Sequence, residues 1–255
     1  MSQTKPTLWQ IGFSHYSEKV RWTLERKGVS HVRRSPPPGF HIAIALWLTR
    51  GAYKTLPVLE LDGRVIGDST AVIAALEERY PDPPVYPADP ELRRRALELE
   101  NFFDEQLGPH ARLLPFNHLR SEPEMFAELA VQAVPGPLAV AKGPIGAYAR
   151  FYTGLRWNAA DDEAAKAAEA GIVAALDRVE AELARGEGEF LVGDELSIAD
   201  ITAASLFGPI VTPAEGPIPA DQPLPASFER FRDEIRDHPG YAWVEETFRK
   251  HRSPG

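Results

Sequence analysis

The first 80 residues alternate between short apolar runs and stretches with helical spacing. Thr7 to Phe13 and His31 to Ser35 have the length and composition of β-strands. Between them, Ser14 to Gly28 places Val20 and Leu24 on one face at the i, i+4 spacing of a helix. The pattern therefore predicts a strand, a helix and a second strand in this order.

A β-hairpin with a capped helix after it is the clearest prediction for the next stretch. Leu56 to Leu61 and Val65 to Ile66 are strand-like runs, and Asp62-Gly63 between them is a two-residue turn signal. Asp68 and Ser69 then precede a helical pattern, so polar side chains and free N–H groups gather at one helix N-terminus. Such an end binds anions.

Pro57 stands at the entry of the first hairpin strand, where no ladder N–H is needed. If the Leu56–Pro57 bond is cis, the backbone groups of Leu56 are open to an extended ligand. Residues 39–50 fit both a helix and an irregular apolar segment. A βαβ half followed by a ββα half predicts an α/β, thioredoxin-like domain over residues 1–80.

A proline-rich linker and an all-α domain are predicted for the rest of the chain. Residues 81–90 contain five prolines, which fit neither a helix nor a central strand. Residues 91–255 then show helical periodicity. One helix follows the linker and is predicted to stop at Gly108-Pro109, and another runs from Glu163 to Arg185.

The end of the chain carries further helix signals. Ser197 and Asp200 have the spacing of a capping box, and a final pair of helices is interrupted at Pro239-Gly240. Residues 208–226, rich in proline, are predicted to form a long loop. Residues 109–160 contain repeated breaks, including Pro135, Gly136 and Pro137, and many aromatic side chains. We interpret them as an insertion whose aromatics either pack on the exterior or line an apolar pocket.

Composition narrows the function classes. The net charge of −9 argues against a general nucleic-acid binder. The chain has no cysteine, so a reactive thiol must come from a ligand, and its seven histidines show no metal-ligand spacing, so no metal is expected. Without a long apolar run or a signal-like start, we expect no membrane association and a cytoplasmic protein.

The chain resembles the glutathione S-transferase superfamily, in particular its serine-type, bacterial-like branch. The similarity is carried by SHYSEKVRW after the first strand, by the proline-entered hairpin with Asp68-Ser69, and by FLVGDELSIADITAASLF in the helical domain. The resemblance implies a thioredoxin-like glutathione-binding domain, a linker and a helical-bundle domain, here enlarged by the insertion. It also implies a homodimer that uses glutathione as a co-substrate.

The resemblance assigns site residues. Ser14 is expected to donate a hydrogen bond to the glutathione sulfur. Leu56 is expected to offer its backbone to the cysteinyl part, with Pro57 cis, while Asp68 and Ser69 hold the γ-glutamyl end. The lysine or glutamine common two residues before this proline is replaced by Thr55, which leaves Lys54 as the candidate for the glycine end.

The rest of the first turn carries secondary candidates. His15 replaces a proline common in this branch, so it either shifts the turn or places a second donor at the sulfur. Tyr16 occupies a packing position, and Ser17 is interpreted as the cap of the first helix.

The predicted function is a glutathione transferase-like detoxification enzyme. It activates the thiol of glutathione for attack on a small-molecule electrophile or for reduction of a peroxide. Two alternatives remain: a glutathione-dependent isomerase or dehalogenase, and a non-catalytic binding protein that reuses the fold.

Overall fold

The computed structural model describes residues 5–37, 39–132, 140–186 and 189–252. Its first part contains a four-stranded sheet with the order β2-β1-β3-β4. β1 runs parallel to β2 and antiparallel to β3, which pairs antiparallel with β4. The strands are β1 Thr7–Trp9, β2 Val32–Arg34, β3 Val58–Leu61 and β4 Arg64–Gly67.

Three helices complete this α/β unit: α1 His15–Arg26, α2 Phe40–Leu48 and α3 Ser69–Arg79. The apolar segment at 39–50 is therefore helical. The first strand is shorter than the apolar run predicted, because Gly12 and Phe13 leave the sheet and lie exposed in the turn before α1.

The predicted hairpin is present, with a turn between β3 and β4. Asp62 has φ 48° and Gly63 has φ 79°, the two positive φ values of a type I′ turn. The Leu56–Pro57 peptide bond immediately before β3 is cis, as predicted.

Helices account for the elements after the linker, which confirms the predicted fold class. The first of them, Pro90–Phe102, continues directly through a π-helical segment, Phe103–Leu107, into the next helix. The helices are α4 Pro90–Phe102, α5 Gly108–Leu119, α6 Pro123–Gln132, α7 Lys142–Trp157, α8 Asp162–Leu183, α9 Ile198–Val211, α10 Ala226–Ile235 and α11 Pro239–His251.

The predicted helix stop at Gly108-Pro109 is wrong. The π-helical segment ends here, and Pro109 falls in the first turn of α5, where a proline needs no intrahelical N–H partner. The predicted loop start at 208 is also wrong, since α9 runs to Val211 with Pro209 inside it.

Residues 109–160 fold largely as α5, α6 and α7, while the predicted breaks Pro135, Gly136 and Pro137 lie outside the described residues. Part of the aromatic content packs inward: the ring of Phe116 lies 4.9 Å from that of Trp157 and 6.0 Å from that of buried Phe126. Phe151 in α7 is 68 % exposed. The packing interpretation therefore holds for Phe116, Phe126 and Trp157, and the lining of an apolar pocket stays a prediction.

The capping box at the start of α9 forms as predicted. The Asp200 carboxylate accepts from the Ser197 N–H and hydroxyl, both at 2.8 Å, and also from the Leu191 N–H at 2.7 Å. α9 is almost entirely buried in the centre of the helical domain. Among the helices in the described part of the chain, none is long and apolar enough to cross a bilayer.

Candidate active site

Ser14 occupies the turn between β1 and α1 and is the N-cap of α1. Its backbone is extended, with φ −73° and ψ 125°, and its Oγ accepts a hydrogen bond from the Ser17 N–H at 3.4 Å. Accepting this bond leaves the hydroxyl hydrogen of Ser14 available for donation to a ligand. The half-buried Ser14 thus presents a donor at the positive end of a helix.

The prediction that Ser17 caps α1 is wrong, because the helix begins one turn earlier. Ser17 is fully buried, and its Oγ accepts from the Ile11 N–H at 3.3 Å. It therefore holds the turn against α1 from inside.

Two further predicted ligand contacts lie just before β3 and at the start of α3. The strand pairing of β1 with β3 begins at Val58, so the backbone of Leu56, next to the cis bond, lies beyond the ladder. Asp68 has φ 73° and caps α3 by accepting from the Thr70 and Ala71 N–H groups at 3.0 and 3.2 Å through one carboxylate oxygen. A non-glycine residue in this conformation carries backbone strain of the kind found at ligand sites.

Two other predicted contacts differ in their surroundings. Ser69 is 5 % exposed at the first turn of α3. Lys54 is exposed, and within the described residues it makes no ion pair. Its long side chain therefore stays available for an anionic group, as predicted for the glycine end.

Tyr16 is held against the helical domain. Its hydroxyl donates to the Asp104 carbonyl at 2.8 Å and packs against Gly108, where an added Cβ would lie 2.0 Å from the hydroxyl oxygen. Burial and the nearby Asp104 raise the pKa of Tyr16. Tyr16 thus joins α1 to the π-helical segment as a neutral packing residue.

His15 is buried beside Tyr16, with 4.6 Å between the ring centroids, and its Nε2 has no hydrogen-bond partner. Burial, reinforced by the charge of Arg112, lowers the pKa of His15 to about 3. The imidazole is therefore neutral at physiological pH.

A buried charge cluster lies beneath the start of α3, and the sequence analysis missed it. Lys19 of α1 contacts Glu100 at 2.8 Å and Asp104 at 2.6 Å. The Thr70 hydroxyl lies 3.0 Å from both carboxylates and can donate its one hydrogen to either. The sequence does contain a signal for this cluster: Glu100 and Asp104 form an acidic i, i+4 pair beside the apolar helix face that contains Leu99. The cluster ties α1 and α3 of the first domain to α4 and the π-helical segment of the second.

A second group that sequence reasoning missed faces the turn from the helical domain. The guanidinium of Arg112 in α5 lies 5.3 Å from the Trp157 ring centroid, and its charge acts on His15 and Tyr16. In α7, the ring of Tyr152 lies 6.1 Å from that of His41 in α2. Aromatic and basic side chains of the insertion thus lie opposite the thioredoxin-like domain.

Three potential metal ligands, Asp177, Glu180 and His238, lie together on the surface with their ligand atoms within 4.8 Å. The Nδ1 of His238 accepts from the Gly240 N–H, so its Nε2 carries the proton and faces Asp177 at 3.1 Å. This hydrogen bond accounts for the cluster, and the expectation of no metal stays a prediction.

Comparison with known proteins defines the class. The family description "Glutathione S-transferase, N-terminal domain" matches residues 8–84, and "Glutathione S-transferase, C-terminal domain" matches residues 162–233. The chain therefore belongs to the glutathione S-transferase superfamily, and the prediction of a glutathione transferase-like enzyme is confirmed. The whole insertion, residues 109–160, lies between the two matched ranges.

Individual relatives give a finer comparison. A probable maleylacetoacetate isomerase of Caenorhabditis elegans is 24 % identical over 81 % of this chain and 79 % of that protein. The solved structure of a maleyl pyruvate isomerase, described as a bacterial glutathione S-transferase in Zeta class, aligns with TM-score 0.60 and 20 % identity, covering 94 % of this chain and 91 % of that one.

A glutathione S-transferase of Methylobacillus flagellatus, solved with glutathione bound, aligns with TM-score 0.59 and 17 % identity over 96 % of this chain and 95 % of that one. At these identities the structures show the shared fold. The glutathione contacts of Ser14, Leu56, Pro57, Asp68, Ser69 and Lys54, and the homodimer, stay predictions.

Proposed function

We propose that this protein binds glutathione between α1, β3 and α3 and uses its thiolate to attack an electrophile. The observation that carries the proposal is the geometry of Ser14. The Ser14 Oγ accepts a hydrogen bond from the Ser17 N–H, so the hydroxyl hydrogen is available for donation, and Ser14 lies at the N-terminus of α1. The backbone of Leu56, outside the pairing of β1 with β3, and the polar groups at the capped start of α3 hold the rest of the peptide.

The proposed hydrogen bond from Ser14 and the nearby helix end are together strong enough to ionise the glutathione thiol near neutral pH. A free cysteine thiol titrates near pH 8.5. A hydrogen bond to a charged acceptor contributes about 1.5–3 kcal/mol, and a helix N-terminus adds about 0.3–1 kcal/mol. Since about 1.4 kcal/mol corresponds to one pKa unit, these effects place the bound thiol near or below pH 7, largely as thiolate.

The γ-glutamyl end of glutathione carries both a carboxylate and an ammonium group. The positive end of the α3 dipole suits the carboxylate. Asp68 uses a single carboxylate oxygen for its cap bonds, which leaves the other for a cationic group. This pairing of opposite charges supports Asp68 and Ser69 as the γ-glutamyl contacts.

Glutathione-dependent isomerisation is the reaction that we favour, because the C. elegans relative and a neighbour of the same fold are isomerases by name. The thiolate adds to one alkene carbon of a cis-enone, and the electron pair moves onto the carbonyl oxygen. The former double bond rotates, the electron pair returns, and the thiolate leaves. The products are the trans-enone and unchanged glutathione.

Glutathione conjugation is the competing reaction. It uses the same thiolate but ends with a carbon–sulfur bond, so each turnover consumes one thiol. Mixed-disulfide reduction is not expected from this chain, which contains no cysteine.

Calorimetry with glutathione followed by a thiol balance tests the proposal. We expect saturable binding at or below millimolar glutathione, and conversion of a cis-enone to its trans isomer without loss of titratable thiol. Equimolar thiol loss would replace isomerisation by conjugation. Absence of binding at millimolar glutathione would overturn the proposal and favour a non-catalytic binding protein.

A further inference from the structure

The Tyr16 hydroxyl and a backbone carbonyl of the helical domain meet where the two domains join. Tyr16 lies in the first turn of α1, two residues after Ser14, and its hydroxyl donates to the Asp104 carbonyl at 2.8 Å. The two bonded residues are 88 positions apart in the chain. This hydrogen bond is therefore a tertiary contact that holds the first turn of α1 against the π-helical segment.

The π-helical segment leaves the Asp104 carbonyl free to accept this bond. In an α-helix a carbonyl accepts from the N–H four residues later, and in a π-helix from the N–H five residues later. The N–H of Gly108 donates to the Phe103 carbonyl, and Pro109 has no N–H. Since neither backbone donor serves the Asp104 carbonyl, the Tyr16 hydroxyl satisfies it.

Gly108 leaves the space that the hydroxyl needs. A Cβ added at Gly108 would lie 2.0 Å from the Tyr16 hydroxyl oxygen and 2.7 Å from the ring carbon that carries it. Both distances are well below van der Waals contact, so a side chain at this position would displace Tyr16. Gly108 and Pro109 together therefore form a binding place for this hydroxyl, the Gly108-Pro109 socket.

Asp104 is itself held from the opposite side. Its carboxylate contacts Lys19 at 2.6 Å and lies 3.0 Å from the hydroxyl of Thr70 in the first turn of α3. The carbonyl that accepts from Tyr16 thus belongs to a residue that is anchored to α3. Consequently, the turn with Ser14 and the start of α3 are tied to one residue of the helical domain.

We propose that Tyr16 is a positioning residue for thiol activation: its hydroxyl, held in the Gly108-Pro109 socket, keeps the Ser14 hydroxyl directed at the glutathione sulfur. The Tyr16 hydroxyl hydrogen is used by Asp104, so Tyr16 acts through Ser14. The Ser14 Oγ accepts from the Ser17 N–H at 3.4 Å, a long bond that fixes the side chain weakly. Its direction therefore depends on how firmly the turn is held. The inference rests on the function proposed above.

Tyr16→Phe tests this role, because it removes one oxygen atom and keeps the ring. We expect the pKa of the bound glutathione thiol to rise by about half to one unit, since the Ser14 donor is misplaced but still present. At neutral pH, kcat/KM should fall about 3–30-fold. The thiolate absorbance of bound glutathione measures the pKa. The rise should be smaller than in Ser14→Ala, which lacks the donor altogether.

Tyr241→Phe is the matched control. Tyr241 is also buried, and its hydroxyl donates to the Val211 carbonyl at the end of α9 at 3.4 Å. Because this bond lies in the C-terminal part of the helical domain, its loss should leave kcat/KM within about twofold of the wild type. The pKa of the bound thiol should be the same as in the wild type.

The Gly108-Pro109 socket provides a second test. Gly108→Ala places a methyl group against the Tyr16 hydroxyl, so it should raise the pKa of the bound thiol as Tyr16→Phe does. In the Tyr16→Phe background the closest contact of this methyl group is absent, so adding Gly108→Ala should raise the pKa less than it does in the wild type. Equal rises in the two backgrounds would overturn the role of the socket.

Binding of S-methylglutathione separates positioning from general damage, because this ligand has no thiol to ionise. Calorimetry should show an affinity for Tyr16→Phe within about threefold of the wild type. An affinity loss of about tenfold or more, with an unchanged thiol pKa, would indicate a structural role and overturn the inference.

Failure of this inference differs from failure of the proposed function. A thiol pKa that rises in Ser14→Ala but not in Tyr16→Phe would overturn the positioning role alone. A wild-type bound thiol that titrates like free glutathione would overturn the proposed function, and the inference with it.

Discussion

At the residue scale, Ser14 has two roles that share one oxygen atom. It caps α1 through its acceptor oxygen, and it is proposed to hold the thiolate through its hydrogen. A substitution therefore changes helix stability and chemistry together. Separating the two effects requires two different replacements.

We predict that Ser14→Ala and Ser14→Gly lower turnover to a similar extent, about 10–100-fold, because both remove the same hydrogen bond to the thiolate. Their stabilities should differ. Alanine at an N-cap costs about 1 kcal/mol, whereas glycine costs only a few tenths. Steady-state kinetics with chemical denaturation measures both quantities. Wild-type turnover in either variant would exclude Ser14 as the donor.

His15 should stay uncharged over the whole physiological range. Its pKa of about 3 lies below the ordinary value of 6.5, so between these values the unfolded chain binds a proton that the folded chain lacks. This group thus lowers stability as the pH falls from 6.5 to 3. By NMR, the His15 ring signals should show no titration between pH 5 and 8, and a midpoint in that interval would refute its buried, neutral state.

At the element scale, local patterns predicted the elements whose signals lie within a few residues. The Asp62-Gly63 turn and the Ser197–Asp200 capping box formed as expected because each depends on neighbouring backbone groups. Gly108-Pro109 does not end the helical run, because the π-helical segment changes the hydrogen-bond register just before it. Pro209 does not end α9 either, since burial of this helix on all sides outweighs the loss of one backbone hydrogen bond.

Asp200 is expected to contribute more to the free energy of unfolding than a helix cap on the surface does. It is fully buried and accepts from the N–H groups of Leu191 and Ser197. Asp200→Ala leaves both donors without an acceptor, so we predict a loss of roughly 2–5 kcal/mol in the free energy of unfolding, against about 1 kcal/mol for an exposed cap. Urea denaturation measures it, and a loss near 1 kcal/mol would show that water replaces the carboxylate.

Asp200 also makes a pH-dependent contribution with a defined sign. Burial raises its pKa from 3.8 to about 6, so between these values the folded chain holds a proton that the unfolded chain has released. Its stabilising effect is complete below pH 4 and is lost as the pH rises through 6. The stability difference between wild type and Asp200→Asn should therefore fall by about 1–3 kcal/mol from pH 4 to 7.5. An increase over this interval would reverse the assignment.

At the scale of the whole molecule, the site is completed by contacts between domains, and these were beyond sequence reasoning. The turn, hairpin and helix start that hold the candidate glutathione residues were predictable because their signals occupy two short motifs, at Ser14 and at Leu56 to Ser69. Lys19 and Asp104 are 85 positions apart, and Arg112 meets the first turn only after the domains pack. Periodicity carries no information about such pairs.

The Lys19 cluster should be essential for joining the domains. Lys19→Met leaves Glu100 and Asp104 as adjacent buried acids, so we predict a loss of about 3–5 kcal/mol. Lys166→Met is the matched control, because Lys166 pairs with Glu163 at 2.9 Å on the surface and should contribute less than about 1 kcal/mol. Equal losses in the two variants, measured by denaturation, would argue against a specific role for the buried cluster.

The central claim is that this fold binds glutathione and ionises its thiol at Ser14. Titration of the thiolate absorbance of bound glutathione against pH tests it most directly, with Ser14→Ala beside the wild type. The account predicts a bound-thiol pKa of about 7 or lower, against about 8.5 for a free thiol, and a rise of about one to two units in Ser14→Ala. A bound thiol that titrates like the free one, and equally in both proteins, would contradict it.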